Sequence, residues 1–277
     1  MQLSFAPVMA ALILSQTPNT QYRTANFVVQ AETLEVAKIV AESAESTRKR
    51  LGKLWLDQEL ENWSTPCQIR ACINLGAVAG ITDVTYAAGR VRKHEVDVQG
   101  PLDRVLKGPL PHELTHVLFA HYFGAQAPRW ADEGGAILSE DESQGERQTK
   151  AMRKLQAEKR YFPLRRLLEM RQYPQDMPAI YAQGHSLTRF LVDTKDRKAF
   201  LAFVKDGIDN SWDEAVVAKY GFKNVEQLEK NWVDWIAKRG RVAQAAANQE
   251  KQANELLTGS LSVFGAARMA WMPFISY

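Results

Sequence analysis

The N-terminal half of the chain combines short apolar segments with one long helical pattern. Residues 27–30 (FVVQ) predict a short strand, and apolar residues recur at helical spacing over 32–55, which predicts a helix. After a break at 62–66, period-two alternation and turn residues predict, in order, a strand at 68–75, a loop at 76–80 and strands at 84–90 and 95–99. The pattern predicts a small mixed sheet laid against an N-terminal helix.

From residue 102 onward the apolar positions follow a helical period. A short helix over 102–107 is predicted to end at Gly108 and Pro109, and a longer one over 110–123 to end at Gly124. Another helix is predicted to begin near Pro128, where proline is tolerated. The remaining predictions are a polar surface turn at 139–150 that leads into another helix, loops at Pro163, Pro174 and Pro178, and helices at 179–192, 197–205, 212–220 and 225–239. Together these elements predict an α+β fold with a helical C-terminal half.

Composition narrows the class of protein without naming a function. The 277 residues are 45% hydrophobic and 24% charged, which is typical of a globular protein with a well-buried core. The net charge of +3 is small, and the basic residues form no stripe interleaved with aromatic residues. We therefore expect no nucleic-acid partner.

The N-terminus carries an apolar run at 5–14, which has the length of a secretory h-region and about half the length of a membrane span. No Lys or Arg precedes the run and no A-x-A site follows it, so a disordered or core-packed N-terminus is the alternative. We expect a signal peptide or disordered segment at 1–20, one domain at 26–240, an extension at 241–277 and no membrane span. If residues 1–20 are a signal peptide, we expect a secreted or periplasmic location.

Two cysteines, Cys67 and Cys72, stand five residues apart. On one straight strand this odd spacing points their side chains to opposite faces, whereas a turn between them would allow a disulfide. No second pair is present to complete a zinc knuckle. A disulfide and two buried thiols both remain open.

The sequence His112-Glu113-Leu114-Thr115-His116 has the H-E-x-x-H pattern. Residues i and i+4 of a helix lie on one face, so the two imidazoles can reach a single Zn²⁺. Glu113 is adjacent to the first histidine, where a carboxylate can act as general base toward a water on the metal. His121 lies well round the helix from this face, and His94 has no evident role.

A catalytic zinc site needs a third protein ligand. The extended motif with a third histidine is excluded, because Phe119 and Tyr122 stand where it needs Gly and His. Residues 128–140 read PRWADEGGAILSE, in which Glu133 follows Trp130 in a W-x-x-E-G pattern. This pattern resembles the second helix of gluzincin peptidases, and the resemblance implies that Glu133 is the third ligand; the adjacent Asp132 is the competing choice.

The resemblance extends to YAQGHSLTRFLV, which is similar to a helix in a group of secreted bacterial proteins with a gluzincin-type site. It implies a zincin-like metallopeptidase domain and a downstream tyrosine or histidine that stabilises the oxyanion. Tyr181 and His185 are the candidates, and Tyr181 is the matching position. Many gluzincins carry an acidic residue four positions after the third ligand, whereas Ile137 stands there, so the groups that orient the histidines must come from elsewhere.

The expected activity is zinc-dependent hydrolysis of a peptide or protein substrate. The alternatives are a non-catalytic zinc-binding protein and a cell-envelope interaction protein on a peptidase-like fold. The intact Glu113 favours the enzyme, because a structural zinc site needs no base. The sequence does not distinguish an endopeptidase from an exopeptidase, and it gives no oligomeric state.

Overall fold

The computed structural model describes residues 20–242 together with residues 245, 248 and 249. The chain is mixed α+β and divides into two compact units, residues 1–228 and residues 229–277. In the second unit, residues 229–242 are helical, and Lys230 pairs with Asp234 at 2.8 Å. Most of the segment expected at 1–20 and most of the extension expected at 241–277 lie outside the described residues.

A five-stranded mixed sheet forms the N-terminal part of the first unit. Its strands are β1 (Thr20–Arg23), β2 (Phe27–Ala31), β3 (Cys67–Ile73), β4 (Ala79–Ala87) and β5 (Arg90–Gly100). The spatial order is β1-β2-β3-β5-β4, with parallel pairing in the centre and an antiparallel strand at each end. Within the described part of the chain, β4 pairs only with β5, so its other edge is open to a further strand.

The sheet confirms the predicted strands at 27–30 and 68–75 and corrects the other predictions. β1 was not predicted, and the prediction of a loop at 76–80 is wrong because β4 already begins at Ala79. β5 also begins five residues before the predicted 95–99. The reason lies in burial: much of β4 and the first residues of β5 are solvent-exposed, so neither carries the apolar alternation of a half-buried strand.

Helices make up the rest of the first unit. They are α1 (Leu34–Leu56), α2 (Leu102–Lys107), α3 (Pro109–Phe123), α4 (Arg129–Ile137), α5 (Glu142–Ala157), α6 (Leu164–Glu169), α7 (Met177–Thr194), α8 (Arg197–Asp209) and α9 (Trp212–Tyr220). The predicted helices are present, and α6 was missed. The prediction of a surface turn over 139–150 is wrong because α5 already begins at Glu142, where a side-chain cap from Asp141 starts the helix. Two predicted loop prolines belong to helix starts instead: Pro163 precedes α6, and Pro178 lies in the first turn of α7. Among the described residues, no helix is both long and apolar enough to cross a membrane.

The helix α3 is held in place at its C-terminal end. It ends at Gly124, whose φ of 66° is a left-handed conformation that favours glycine. A Cβ at this position would lie 2.3 Å from the carbonyl oxygen of Gly89, in the turn between β4 and β5. This close approach fixes the end of the β4–β5 hairpin against the end of α3, so that β4 runs beside this helix.

The layers that surround α3 are the sheet, α1 and α4, and α4 packs in turn against α7. The approach of α4 to α7 depends on two glycines. A Cβ on Gly134 would lie 2.4 Å from the carbonyl oxygen of Gly184, and a Cβ on Gly184 would lie 2.5 Å from that of Trp130. Trp130 itself is fully buried. Small residues at the crossing thus bring the two backbones together and fix the position of α4.

The two cysteines form no disulfide. Both lie on β3, where their odd spacing directs them to opposite faces of the sheet. Cys67 is buried, and burial raises the pKa of its thiol to about 12, whereas Cys72 is only half-buried. Of the two alternatives, the free thiols are therefore found, with one of them buried.

Candidate metal centre

Two neighbouring helices bring three potential metal ligands together. His112 and His116 lie one turn apart on α3, with ring centroids 4.9 Å apart, and Glu133 projects from α4. One ligand atom from each of the three residues lies within 4.8 Å of the others. This group could hold a metal ion, and it is the set of residues that the sequence predicted.

The carboxylate of Glu133 has an unsatisfied oxygen that points at the histidines. Its Oε2 lies 3.4 Å from His112 Nε2 and 3.9 Å from His116 Nε2, and no described residue donates a hydrogen bond to it. Burial would raise the pKa of Glu133, but the nearby imidazoles and a tyrosine hydroxyl lower it to about 2. A buried, ionised and unsatisfied oxygen of this kind fits a cation.

The other nitrogen of each imidazole faces a second carboxylate. His112 Nδ1 lies 2.7 Å from Glu140 Oε1, and His116 Nδ1 lies 2.8 Å from Asp132 Oδ1. The first contact is a hydrogen bond; the second has the distance of an ion pair without the direction of a hydrogen bond. This arrangement leaves both Nε2 atoms for the shared centre, as in carboxylate–histidine–metal sites.

These carboxylates also set the charge of the imidazoles. Burial disfavours the protonated form, yet Asp132 and Glu133 raise the pKa of His116 to about 9. The pKa of His112 is raised well above its usual value, because Glu133 and Glu140 outweigh its burial. The centre therefore attracts positive charge, whether as protons or as a metal ion.

Two other carboxylates take the place of the acidic residue that is absent at position 137. Asp132, which the sequence offers as the competing third ligand, instead lies beside His116. Glu140 was not proposed. It lies three residues beyond Ile137, where α4 ends, so the helical pattern carries no signal for it.

Glu113 lies beside the histidines in a buried position. Its Oε2 accepts a hydrogen bond of 2.7 Å from the hydroxyl of Thr82 on β4. A Cβ on Gly80 of the same strand would lie 2.5 Å from Glu113 Oε1, so only glycine leaves room for the carboxylate. Burial raises the pKa of Glu113, although His112, His116 and the hydroxyl of Thr82 oppose the shift. A raised carboxyl pKa suits a general base.

The two candidates for oxyanion stabilisation lie on α7 and differ in their surroundings. Burial raises the pKa of Tyr181, and Glu133 and Glu113 raise it further, so its hydroxyl lies within the electrostatic reach of both carboxylates. His185 is buried, and its Nε2 lies 3.1 Å from where a Cβ on Gly145 of α5 would stand. The geometry thus relates Tyr181 to the centre and places His185 against α5.

Tyr173 is a site residue that the sequence did not indicate. It lies in the connection between α6 and α7, and its hydroxyl donates a hydrogen bond to Glu133 Oε1. Its ring is stacked near that of Tyr181, with centroids 6.4 Å apart. Burial and the charge of Glu133 raise the pKa of Tyr173, which keeps it a hydrogen-bond donor. A lone tyrosine between prolines gives no periodic signal that could have found it.

His94 and His121 belong to a separate aromatic cluster. Trp63 stacks on His121 at 5.1 Å and meets His94 edge-on at 4.8 Å. His94 Nε2 lies 2.9 Å from the carbonyl oxygen of Thr65, and burial lowers its pKa. The sequence-based expectation that His121 faces away from the metal-binding side of α3 agrees with this placement.

Comparison with known proteins adds no assignment. No family model matches the chain, and no significant match was found among curated proteins.

Proposed function

We propose that this protein is a zinc-dependent peptidase of the gluzincin type, built on a zincin-like domain. The observation that carries the proposal is the convergence of His112, His116 and Glu133 on one point, with the buried carboxylate of Glu113 beside them. This is the residue set of a catalytic H-E-x-x-H site with a glutamate as third ligand.

Zinc is the metal that best suits this donor set. Two imidazole nitrogens and one carboxylate oxygen form a three-ligand set that leaves a position for water, which is typical of catalytic zinc sites. When bound, the ion would supply Lewis acidity, lowering the pKa of a water and balancing negative charge that develops on a carbonyl oxygen. Asp132 and Glu140 would hold the two imidazoles with Nε2 toward it.

The chain's own residues would move the protons. Glu113 would accept a proton from the attacking water and deliver it to the leaving nitrogen of the peptide bond. The hydrogen bond from Thr82 fixes the direction of this carboxylate. Tyr181 would donate a hydrogen bond from its phenolic hydroxyl to the oxyanion. We prefer it to His185 because Tyr181 lies within the electrostatic reach of Glu113 and Glu133.

The open edge of β4 offers a way to hold a peptide substrate. Within the described residues this edge is unpaired, and the strand carries Thr82 and Gly80, which touch the proposed base. An extended peptide added to this edge would make main-chain hydrogen bonds that do not depend on its sequence. Its carbonyl groups would pass close to Glu113.

Glu113→Gln is the decisive substitution. The amide keeps the size of the side chain but cannot accept a proton, so zinc content and thermal stability should be retained. Hydrolysis of a mixed peptide library, followed by mass spectrometry, should fall by at least about 100-fold. Glu142→Gln changes an exposed glutamate at the start of α5 and serves as the matched control.

A chelator arm separates the proposal from its alternatives. The wild-type protein should cleave peptides with zinc and lose this activity when the metal is removed. Zinc bound at one ion per chain without any cleavage would favour the non-catalytic zinc protein. Absence of both zinc binding and cleavage would favour the interaction protein, and wild-type activity in Glu113→Gln would rule out the assigned base.

A further inference from the structure

Next to the candidate metal centre, an arginine stacks on one tyrosine and lies within electrostatic reach of a second from another part of the fold. Arg129 is the first residue of α4, and its guanidinium stacks over the ring of Tyr173 at 4.3 Å. Tyr86 of β4 is half-buried, and its phenol lies within the electrostatic reach of Arg129 and Asp132. Arg129, Tyr86 and Tyr173, which we call the arginine–tyrosine cluster, thus come from three elements near Glu133 and include a permanent positive charge.

The strand β4 carries both Tyr86, a member of the arginine–tyrosine cluster, and Thr82, which contacts the proposed base. The register of β4 against β5 shifts between Thr85 and Tyr86, and such a bulge redirects the side chains around it. Thr82, four residues earlier, contacts Glu113. At about 3.3 Å per residue, Tyr86 lies roughly 13 Å along the strand from Thr82. A peptide laid on β4 would therefore reach Arg129 within about four residues of the cleaved bond.

The hydrogen-bonding capacity of Arg129 is only partly used. Its Nη1 lies 3.4 Å from the hydroxyl of Tyr173 and 3.8 Å from Asp132 Oδ2, and both distances are long for charge-assisted hydrogen bonds. Its Nε is buried and finds no acceptor among the described residues. Asp132 lies closer to His116, at 2.8 Å, so its carboxylate is directed to that imidazole. A guanidinium that stacks on a tyrosine and has unused N–H donors suits a carboxylate, which can accept two parallel N–H bonds.

We propose that Arg129, together with Tyr86 and Tyr173, binds a carboxylate of the peptide substrate. The carboxylate is either the free C-terminus of a short peptide or an acidic side chain within about four residues of the cleaved bond. The Tyr86 hydroxyl can add a further hydrogen bond to it, whereas Tyr173, whose hydroxyl donates to Glu133, contributes by stacking on the guanidinium. The inference rests on the proposed peptidase function and names the substrate class for that same site.

Matched peptide pairs test the inference in the zinc-loaded, full-length protein. One pair differs in a C-terminal acid or amide, and a second set exchanges Asp for Asn and Glu for Gln at each position around the cleaved bond. The wild-type protein should cleave the carboxylate form of one set with kcat/KM at least about tenfold higher, mainly through a lower KM. The set that shows the preference identifies the C-terminus or the side chain as the source of the carboxylate.

Arg129→Gln should remove this preference, lowering kcat/KM for the carboxylate peptide at least about tenfold more than kcat/KM for the neutral peptide. Arg171→Gln is the matched control, because Arg171 is an exposed arginine of the same region that binds the carbonyl oxygen of Gln126. Zinc content is measured in every variant. If Arg129→Gln disturbs Asp132 and the metal, Arg129→Lys is used instead, because lysine keeps the positive charge but cannot donate two parallel N–H bonds. Cleavage by the wild-type protein without a carboxylate preference overturns the inference alone, whereas absence of any cleavage overturns the proposed peptidase function.

Discussion

At the scale of single residues, the candidate centre separates two roles for carboxylates. The carboxylate of Glu133 has an oxygen without a hydrogen-bond donor near both Nε2 atoms, whereas Asp132 and Glu140 face the opposite nitrogens of the rings. Neighbouring residues on a helix point about 100° apart, so Asp132 and Glu133 cannot exchange these roles without turning α4. The geometry therefore predicts unequal effects of replacing them.

Glu133→Ala should abolish tight zinc binding, because it removes one of three ligands. Asp132→Ala and Glu140→Ala should weaken zinc binding by roughly 10- to 100-fold, the effect typical of residues that orient a ligand. Titration against a competing chelator measures all three, with Glu142→Ala as an exposed control. Retention of tight zinc binding in Glu133→Ala, together with its loss in Asp132→Ala, would assign the third ligand to aspartate instead.

Sequence reasoning found those site residues whose positions follow from one helix. His112, Glu113 and His116 follow from a spacing of four, and Glu133 followed from the residues around it. Tyr173 lies in an irregular connection, and its approach to Glu133 depends on how α7 packs against α4. No local pattern encodes such a contact, so only the folded chain reveals it.

At the scale of elements, the position of α4 depends on its glycine crossing with α7. Both helices were predicted from the sequence, but their close approach was not, although Gly134 and Gly135 stand side by side on α4. The structure gives those glycines different neighbours: Gly134 meets α7, whereas a Cβ on Gly135 would lie 2.3 Å from the ring of Phe119 on α3. Gly184, on the other side of the crossing, was not singled out from the sequence.

Gly184→Ala should destabilise the protein, because the added methyl group would meet the backbone of Trp130. Overpacking at such a contact typically costs about 1–3 kcal/mol. Gly240→Ala is the control, since no atom lies within 4 Å of its added Cβ and alanine favours a helix. Urea unfolding measures both variants. Equal stability of Gly184→Ala and the wild type would show that the helices have room to separate.

The same scale explains why the edge strand β4 was only half predicted. Its N-terminal residues include Gly80, which the sequence pattern places in a loop. In the structure this glycine is required where the strand passes the carboxylate of Glu113. A glycine that serves a close approach and a glycine that serves a loop look identical in a single sequence. The error therefore falls at the candidate site itself.

At the scale of the whole molecule, the site draws together distant parts of the chain. Residues from β4, α3, α4, the connection before α7 and α7 itself all contribute, and they extend from Thr82 to Tyr181 in the sequence. Several buried carboxylates and two imidazoles with raised pKa values meet where these elements converge. A cation bound there would stabilise the assembled fold in preference to the unfolded chain.

Zinc should therefore raise the thermal stability of the protein, and a chelator should reverse the effect. At a free zinc concentration of about 1,000 times Kd, binding to the folded state alone contributes about 4 kcal/mol. For a protein of about this size, that corresponds to a rise in Tm of roughly 8–16 °C. Differential scanning calorimetry with zinc and with chelator measures the shift.

His116→Ala should lose this shift in Tm, whereas His121→Ala, which changes an exposed histidine of the same helix, should keep it. An equal shift in both variants would place the zinc elsewhere in the protein, and no shift in the wild type would contradict a metal site made by His112, His116 and Glu133.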